Sequence, residues 1–413
     1  MTAGALAEPT DRVGGGWTTA LGLANVAIWV GWYGPLQILL ARQAEDFAPG
    51  TGMSKETLLA WVTGAGAVVS LAANPFFGAL SDRTTARWGR RTPWIVAGAA
   101  GGALSLLLLA GADGLWLMTL GWCLVQLTLN AAFAAVTAGV PDRVPRLQRG
   151  VVGGWLGAAQ ILGAVAGTGL ATAAGGIAAG YAACAVFAMA GVLPYVLRYR
   201  DLRLDAADRP AWSWRSFVRG FWLSPRRHPD FGWAWLTRFL INLSNALVIL
   251  YLLYYLRDRL HHDDPEQGVL ILTAVNAVSL LATVVVGGVW SDRVGRRKPF
   301  VHWSGVLMAA ATALLAAWQT WPSAILVAAL LGVGLGVFMS VDFALMTDVL
   351  PKARDRGKDL GVINVANALP QVAAPALAAP IVTYLGGYRV LYAVAAVIGV
   401  AGAVLVGRIK GVD

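Results

Sequence analysis

Long apolar segments alternate with short polar ones along the whole chain. A helix needs about 20 mostly apolar residues to cross the hydrocarbon core of a bilayer, and twelve segments of about that length can be counted. Each gap between them carries charge, glycine or proline. The predicted spans are residues 17–40, 57–80, 93–111, 115–139, 151–173, 177–197, 230–256, 267–290, 300–318, 323–348, 359–384 and 389–407. The pattern therefore predicts an all-α integral membrane protein with twelve transmembrane helices.

Two polar loops repeat each other. Residues 78–83, Gly-Ala-Leu-Ser-Asp-Arg, return at 288–293 as Gly-Val-Trp-Ser-Asp-Arg, so Asp82 and Asp292 lie 210 positions apart. We therefore expect two pseudo-symmetric six-helix bundles, the parallel-repeat plan of many secondary transporters. The predicted domains are an N-terminal bundle at 1–197, a cytoplasmic linker at 198–229 and a C-terminal bundle at 230–413.

The composition excludes a water-soluble protein. Hydrophobic residues make up 57% of the chain and charged residues 13%, against about 45–50% and about 25% in an ordinary soluble domain. The two cysteines, Cys123 and Cys184, both fall in apolar segments, without the spacing of a metal site. The four histidines lie in loops or at span ends, with no catalytic partner. We expect neither an enzyme nor a resident metal or cofactor.

The lysines and arginines indicate the topology. With the N-terminus placed inside, the inner segments hold 26 of the 32 basic residues and the outer loops hold four. Such an excess marks cytoplasmic loops, so we predict a multi-pass protein of the plasma (inner) membrane with both termini cytoplasmic. This placement explains the net charge of +10 without a nucleic-acid partner.

The linker has an amphipathic pattern. Apolar residues recur at helical spacing with Arg215 and Arg219 on another side, which predicts a helix lying in the headgroup layer. The apolar residues are Trp214, Phe217, Val218, Phe221 and Trp222. A recruitment site for a partner protein is the alternative.

The paired loops resemble the inner-loop signature of the major facilitator superfamily. Asn74-Pro75, Arg87-Trp88-Gly89-Arg90-Arg91 and Pro93-Trp94 are similar to the glycoside–pentoside–hexuronide cation symporters and the sucrose-transporter-like branch. The resemblance implies alternating access and a sugar substrate. Sodium-coupled melibiose-type carriers have an acidic residue where this chain has Asn74, so we favour a proton over sodium as the coupling ion.

The loop signature also has an electrostatic interpretation. Span eleven begins on the inner face, so the partial positive charge of its N-terminus can attract Asp82, and Asp292 should face the start of span five. We interpret these loops as a cytoplasmic latch, with a basic anchor to lipid headgroups as the alternative. The latch residues are Gly78, Asp82, Arg83, Arg90, Arg91, Asp292, Arg293, Arg296 and Arg297.

Amides and aromatic rings cluster at mid-depth in the spans that line the central path in the superfamily, and on neighbouring spans. Amides can exchange hydrogen bonds with hydroxyl groups while indole rings stack on a sugar, although the same amides could instead join neighbouring helices. The substrate-binding candidates are Asn25, Trp29, Trp32, Tyr33, Gln126, Asn130, Gln160, Asn242, Asn245, Asn364, Asn367 and Gln371.

Arg238 and Asp342 are charges within spans. Their depths match, and a lone charge in the membrane is costly, so we expect them to pair. Either the pair gates and carries a proton, or it is a permanent structural ion pair.

The function expected from these features is proton-coupled import of a neutral sugar or glycoside by a transporter that is monomeric in the lipid bilayer. The alternative is export of an apolar drug or secondary metabolite, which the tryptophan-rich wall of span one favours.

Overall fold

The computed structural model describes residues 9–145, 148–209, 213–214, 228–294, 297–348 and 356–410. Within the helices, the side chains at 150, 285, 287–289, 291–292, 343–348, 356–364 and 367 are not described. Most of the predicted linker helix, including Phe217, Val218, Phe221 and Trp222, lies outside these residues.

Twelve long helices correspond one to one with the predicted spans. They are α1 Gly15–Thr51, α2 Lys55–Ser81, α3 Thr92–Ala110, α4 Leu115–Arg143, α5 Arg149–Ala173, α6 Ile177–Arg198, α7 Pro229–Leu250, α8 Pro265–Val294, α9 Lys298–Ala317, α10 Trp321–Asp348, α11 Arg356–Tyr384 and α12 Gly387–Leu405. Among the described residues, eleven are long and apolar enough to cross a membrane, and α11 contributes the apolar stretch Ala368–Tyr384. The all-α membrane fold is confirmed.

Helix α1 is longer than the sequence predicts. The expected end at residue 40 is wrong, because a π-helical turn at Pro35–Leu39 is followed by a further helical segment, Leu40–Thr51. Proline cannot donate the usual backbone hydrogen bond inside a helix, and a π turn accommodates such an interruption. The buried side chain of Gln43 then donates to the Leu109 carbonyl and accepts from the Tyr181 hydroxyl. These two hydrogen bonds stabilise the polar segment Leu40–Thr51 as a helix.

Two compact units divide the chain. One comprises Met1–Gly52 with Ala65–Trp212, and the other comprises Met53–Gly64 with Ser213–Asp413. Helix α2 therefore begins in the second unit and ends in the first.

Glycines allow α5 to approach α1 closely within the first unit. A Cβ added at Gly163 would lie 2.4 Å from the Cβ of Trp29, and one at Gly167 would lie 2.9 Å from the Gly34 nitrogen. The small residues of α5 therefore permit a close helix contact at these two positions. At Gly153 and Gly157, no described atom lies within 4 Å of an added Cβ.

Candidate functional site

An aromatic wall occupies the middle of α1. The rings of Trp29 and Trp32 meet edge to face at 5.0 Å, and the Phe133 ring of α4 packs 5.4 Å from Trp29 and 5.5 Å from Trp32. Tyr33 lies 5.7 Å from Trp29. The spacing that predicted one face of α1 therefore does bring these rings together, and α4 supplies a fourth ring that the sequence did not reveal.

Polar groups border this wall. The Tyr33 hydroxyl is hydrogen-bonded to Gln160 of α5, because the glycine contacts hold α5 against α1. Asn25 is 1% exposed, yet its Nδ2 has no hydrogen-bond partner among the described residues, and the same is true of Trp32 Nε1. Two hydrogen-bond donors thus lie unpaired on the same face of α1 as Trp29.

A second polar cluster joins α2 to α4. Asn130 is buried and donates from Nδ2 to the Ser70 hydroxyl at 3.0 Å and to the Gln126 carbonyl at 2.7 Å. Asn74 in turn donates to Asn130 Oδ1 at 3.3 Å. From the sequence, Asn74 has only a negative role, as the residue that stands in place of a carboxylate. In the structure it is hydrogen-bonded to Asn130 of the predicted Gln126–Asn130 pair. Its polarity within an apolar span could have indicated this contact.

The remaining predicted substrate residues lie on α7 and α11. Asn242 and Asn245 of α7 are half-buried, and Gln371 of α11 is exposed. Asn364 is among the side chains that are not described, and so is Asn367. The structure therefore brings the predicted residues of α1 and α5 together, and a role in substrate binding stays a prediction for all twelve candidates.

Arg238 and Asp342 form a buried ion pair within the second unit. The Arg238 guanidinium donates to the Asp342 carboxylate, and their side chains are 13% and 4% exposed. The adjacent Thr237 hydroxyl is buried with no hydrogen-bond partner among the described residues. The expected pairing is present, whereas a role in proton transfer stays a prediction.

Asp142 is the centre of the predicted latch region in the first unit. Its carboxylate accepts from Arg90 at 2.5 Å and from Arg91 at 2.9 Å, and both arginines are buried. Arg91 also contacts Asp82 at 2.5 Å and donates to the Ser81 hydroxyl. The sequence missed Asp142 because α4 was expected to end at residue 139, whereas the helix continues to Arg143.

The electrostatics of this cluster favour charged Arg91. Burial disfavours its charged form, but the hydrogen bonds and negative charges of Asp142 and Asp82 outweigh that effect, so the pKa of Arg91 is raised above its ordinary value. The guanidinium is therefore a permanent cation that holds two carboxylates. Of these, Asp82 keeps 54% of its side chain exposed.

The start of α3 is tied to the end of the first half by Asp201. Its carboxylate accepts from the backbone N–H groups of Arg91 and Thr92, at 2.5 and 3.0 Å. Gly89 makes this approach possible, because its φ is +103° and an added Cβ would lie 2.3 Å from the Asp201 carboxylate.

The other latch residues give mixed results. Arg83 is half-buried and Arg293 is exposed, while the side chain of Asp292 and all of Arg296 lie outside the described residues. Arg297 is half-buried. An added Cβ at Gly78 would meet no described atom within 4 Å. The contacts predicted for Asp82 at span eleven and for Asp292 at span five stay predictions.

A polar cluster at the predicted outer end of the second unit was not expected. Lys55, in the first turn of α2, forms an ion pair with Asp258 at 2.7 Å and lies 4.8 Å from the Tyr254 ring centroid. The Tyr388 hydroxyl donates to the other Asp258 oxygen at 2.9 Å. We call Lys55, Tyr254, Asp258 and Tyr388 the outer cluster. Neither charge lies within an apolar span, so the sequence offered no signal that they would meet.

Three tyrosines that follow α7 support the same region. Tyr251, Tyr254 and Tyr255 are all buried, and the Tyr251 hydroxyl donates to the backbone carbonyl of Glu56 at 2.7 Å. An interfacial aromatic belt faces lipid headgroups, so these buried rings do not belong to one. They instead pack the C-terminal end of α7 against the first turn of α2.

Among the residues that the structure describes, no group of three His, Cys, Asp or Glu side chains is placed to hold a metal ion.

Comparisons with known proteins give the family. A model of the Major Facilitator Superfamily matches residues 21–288 and 234–411. No curated protein matches the sequence significantly.

Solved structures share the fold at low sequence identity. The nucleoside transporter NupG is 11% identical with a TM-score of 0.75, over 95% of this chain and 99% of that one. The peptide transporter POT is 14% identical with a TM-score of 0.78, over 98% and 96%. The human organic anion transporter MFSD10 is 18% identical with a TM-score of 0.68, over 95% and 99%. The chain is therefore a multi-pass membrane protein that belongs to the Major Facilitator Superfamily, a family of transporters.

Proposed function

We propose that this protein is a secondary transporter that imports a neutral polyhydroxylated solute, a sugar or glycoside, together with a proton. The observation that carries the proposal is the α1 wall, where Asn25 Nδ2 and Trp32 Nε1 are buried donors without a partner among the described residues. They lie beside the rings of Trp29 and Phe133.

The chemistry of this wall suits a sugar. A hydroxyl group can accept from each unpaired donor, and the Gln160 amide can both donate and accept. The C–H face of a pyranose can stack on an indole ring, which supplies a large apolar surface. Trp29, Tyr33 and Gln160 are only partly buried, so a solute can reach them. No carboxylate or cation is within this group, which favours an uncharged ligand.

The proposal of proton coupling depends on the Arg238–Asp342 pair. A buried carboxylate whose cation moves away gains a strong tendency to take up a proton. The charge of the Asp342 carboxylate would therefore be compensated in both states, by the Arg238 guanidinium in one and by a bound proton in the other. Asn74 supplies no charge for sodium, and its amide is used by Asn130.

Uptake into proteoliposomes tests the proposed function. Labelled mono- and disaccharides, glycosides, a nucleoside and a dipeptide are supplied under separately imposed proton and sodium gradients. We expect accumulation of at least one sugar or glycoside that follows the proton gradient and collapses with a protonophore. Accumulation of only the nucleoside or dipeptide would contradict the sugar assignment. Protection of the protein by hydrophobic drugs alone, without sugar uptake, would favour the export alternative.

A matched pair of variants locates the site. Trp32→Phe keeps a ring but removes the unpaired N–H group, and we expect the KM for the sugar to rise about fivefold. Trp17→Phe is the control, since Trp17 is also a buried α1 residue with an unpaired Nε1, about 22 Å earlier along the helix. Equal effects of the two substitutions on KM would refute the assignment of Trp32 to the binding wall.

A further inference from the structure

A groove on the second unit lies between α9 and α12, away from the proposed sugar site. It encloses about 750 Å³ and is lined by seven alanines, three valines and Arg389. Ala309, Ala313 and Ala317 belong to the α9 wall, and Ala393 and Val397 belong to the α12 wall. We call this feature the α9–α12 groove.

Small residues form the groove because they let the two helices pack closely behind it. An added Cβ at Gly305 would lie 2.9 Å from the Ala403 Cβ, and one at Gly399 would lie 3.2 Å from the Ala309 Cβ. The alanine side chains then leave a furrow above this contact, because a methyl group cannot fill the space between two helix surfaces.

The length of the furrow matches one leaflet of a bilayer. From Arg389 to Val400 on α12, and from Val306 to Ala317 on α9, the lining covers twelve positions. The first and last of them are about 16 Å apart along the helix. Half of a hydrocarbon core of about 30 Å is about 15 Å. One extended acyl chain in one leaflet therefore has the length that the furrow offers.

The end of the groove carries an uncompensated positive charge. Arg389 is exposed and forms no hydrogen bond or ion pair with a described residue. It lies in the first turn of α12, where no acidic residue opposes the positive end of the helix dipole. Asp258 does not neutralise Arg389, because its carboxylate is paired with Lys55 and accepts from the Tyr388 hydroxyl. Tyr388 is on the buried face of α12, whereas Arg389 is on the exposed face.

Exposed aromatic rings place this end of the groove at headgroup depth. Trp318 follows the last residue of α9 and is 66% exposed, and Tyr384 at the end of α11 is 79% exposed. Tryptophan and tyrosine are enriched at both membrane interfaces. The guanidinium of Arg389 is thus at the level of lipid phosphates, where its planar fork can bind two phosphate oxygens.

We propose that the α9–α12 groove is a resident site for one anionic phospholipid. One acyl chain lies along the alanines, and the phosphate binds Arg389 at the start of α12. By the predicted topology, this lipid belongs to the outer leaflet. An anionic lipid is favoured over a zwitterionic one, because no free carboxylate among the described lining residues is available for a choline or ethanolamine group.

Lipid counting by native mass spectrometry tests the site. Full-length protein in detergent is delipidated and equilibrated with equal concentrations of dioleoylphosphatidylglycerol and dioleoylphosphatidylcholine. We expect one phosphatidylglycerol to remain bound under conditions that remove phosphatidylcholine. Arg389→Gln should weaken its binding about tenfold, and Arg389→Lys should restore most of the loss. Arg42→Gln removes a half-buried arginine of the first unit from the same predicted face and should change nothing.

The acyl-chain part of the proposal has its own variant. Ala313→Phe fills the furrow without altering charge and should also displace the lipid, whereas Ala97→Phe, at an exposed alanine of α3, should not. The thermal unfolding midpoint of each variant shows that it is folded. Equal retention of the two lipids, or unchanged retention in Arg389→Gln, would overturn the proposal. A change from dimer to monomer in Ala313→Phe, without lipid loss, would instead identify the groove as an interface between copies.

Discussion

Buried polar side chains in this molecule are of two kinds, those with partners and those without. Gln43 is held by the Leu109 carbonyl and the Tyr181 hydroxyl, whereas Asn25 and Trp32 each keep a buried donor with no described partner. An unsatisfied buried donor costs about 1–3 kcal/mol. A ligand that accepts from Asn25 and Trp32 therefore adds hydrogen bonds without breaking any. A ligand at Gln43 would first have to break its two existing hydrogen bonds.

The Arg238–Asp342 pair predicts a characteristic stability pattern. Asp342→Asn removes the carboxylate that the buried Arg238 guanidinium contacts, so we expect a loss of about 3–5 kcal/mol in the free energy of unfolding. The double variant Arg238→Gln/Asp342→Asn removes both charges and should recover most of that loss. Thermal unfolding in detergent measures both. Equal destabilisation by the single and the double variant would contradict a mutual pair.

The same variants separate a structural pair from a coupling pair. If Asp342 exchanges protons during transport, the double variant should be folded yet show no proton-driven accumulation. Proton-driven uptake at the wild-type level in this variant would assign the pair a structural role only.

Two carboxylates of the loop region should differ sharply in their contribution to stability. Asp142 is nearly buried and forms ion pairs with both Arg90 and Arg91. Asp142→Asn should therefore cost about 3 kcal/mol in the free energy of unfolding. Asp82 is about half exposed, and Asp82→Asn should cost less than about 1 kcal/mol. Denaturation of both variants in the same detergent provides the comparison, and a reversed order would be inconsistent with Asp142 as the centre.

Among the helices, α2 has a particular position because its first turn is bonded to the second unit. Ser54, just before it, caps the helix through the Thr57 N–H group, and its hydroxyl also lies 3.3 Å from that of Thr383. With Lys55 on Asp258, several contacts fix this helix end. Since α2 continues into the first unit, these contacts fix the start of a helix that both units share.

A disulfide at this helix end should arrest transport. The Ser54 and Thr383 hydroxyls lie 3.3 Å apart, so a cysteine pair at these positions can be tested for disulfide formation. The bond would fix the start of a helix that both units share. In a protein with Cys123 and Cys184 replaced by alanine, we expect oxidised Ser54→Cys/Thr383→Cys to lose uptake of any transported solute. Reducing agent should restore it.

The single variant Ser54→Cys, treated identically, controls for oxidation elsewhere. Full uptake by completely cross-linked protein would show that this helix end does not need to open.

Helix positions were largely predictable from sequence, because an apolar run of about 20 residues has one stable state in a bilayer. The extension of α1 to Thr51 was not, since Arg42, Glu45 and Asp46 read as a loop. Its helical state depends on partners that Gln43 finds on other helices. Likewise, helix periodicity could not reveal that the regular α7 ends at Leu250 and continues in short pieces.

The candidate site was predictable only in part, for the same reason. One face of α1 follows from the spacing of Asn25, Trp29 and Trp32, because helical periodicity is a local property. Phe133 and Asp142 acquire their roles from helix packing across the first unit. Such contacts between distant segments leave no periodic signal along the chain.

The whole molecule has a strongly asymmetric distribution of positive charge, which predicts its orientation. Asp113 and Arg87 are both exposed and lie in consecutive loops, at opposite ends of α3. In protein with Cys123 and Cys184 replaced, Asp113→Cys should react with a membrane-impermeant maleimide on intact cells, whereas Arg87→Cys should react only after permeabilisation. The opposite labelling pattern would place both termini outside.

The bond between Asp201 and the start of α3 also sets an order of events during synthesis. Thr92 leaves the ribosome 109 positions before the carboxylate that accepts from its N–H group. Arg91 meets Asp82 first, Asp142 about fifty residues later and Asp201 last. A nascent chain halted after α4 would therefore contain Asp82 and Asp142, the partners of Arg90 and Arg91. It would lack Asp201, the partner of the backbone at the start of α3. The loop between α2 and α3 therefore gains its last partner only when α6 and Asp201 have been synthesised.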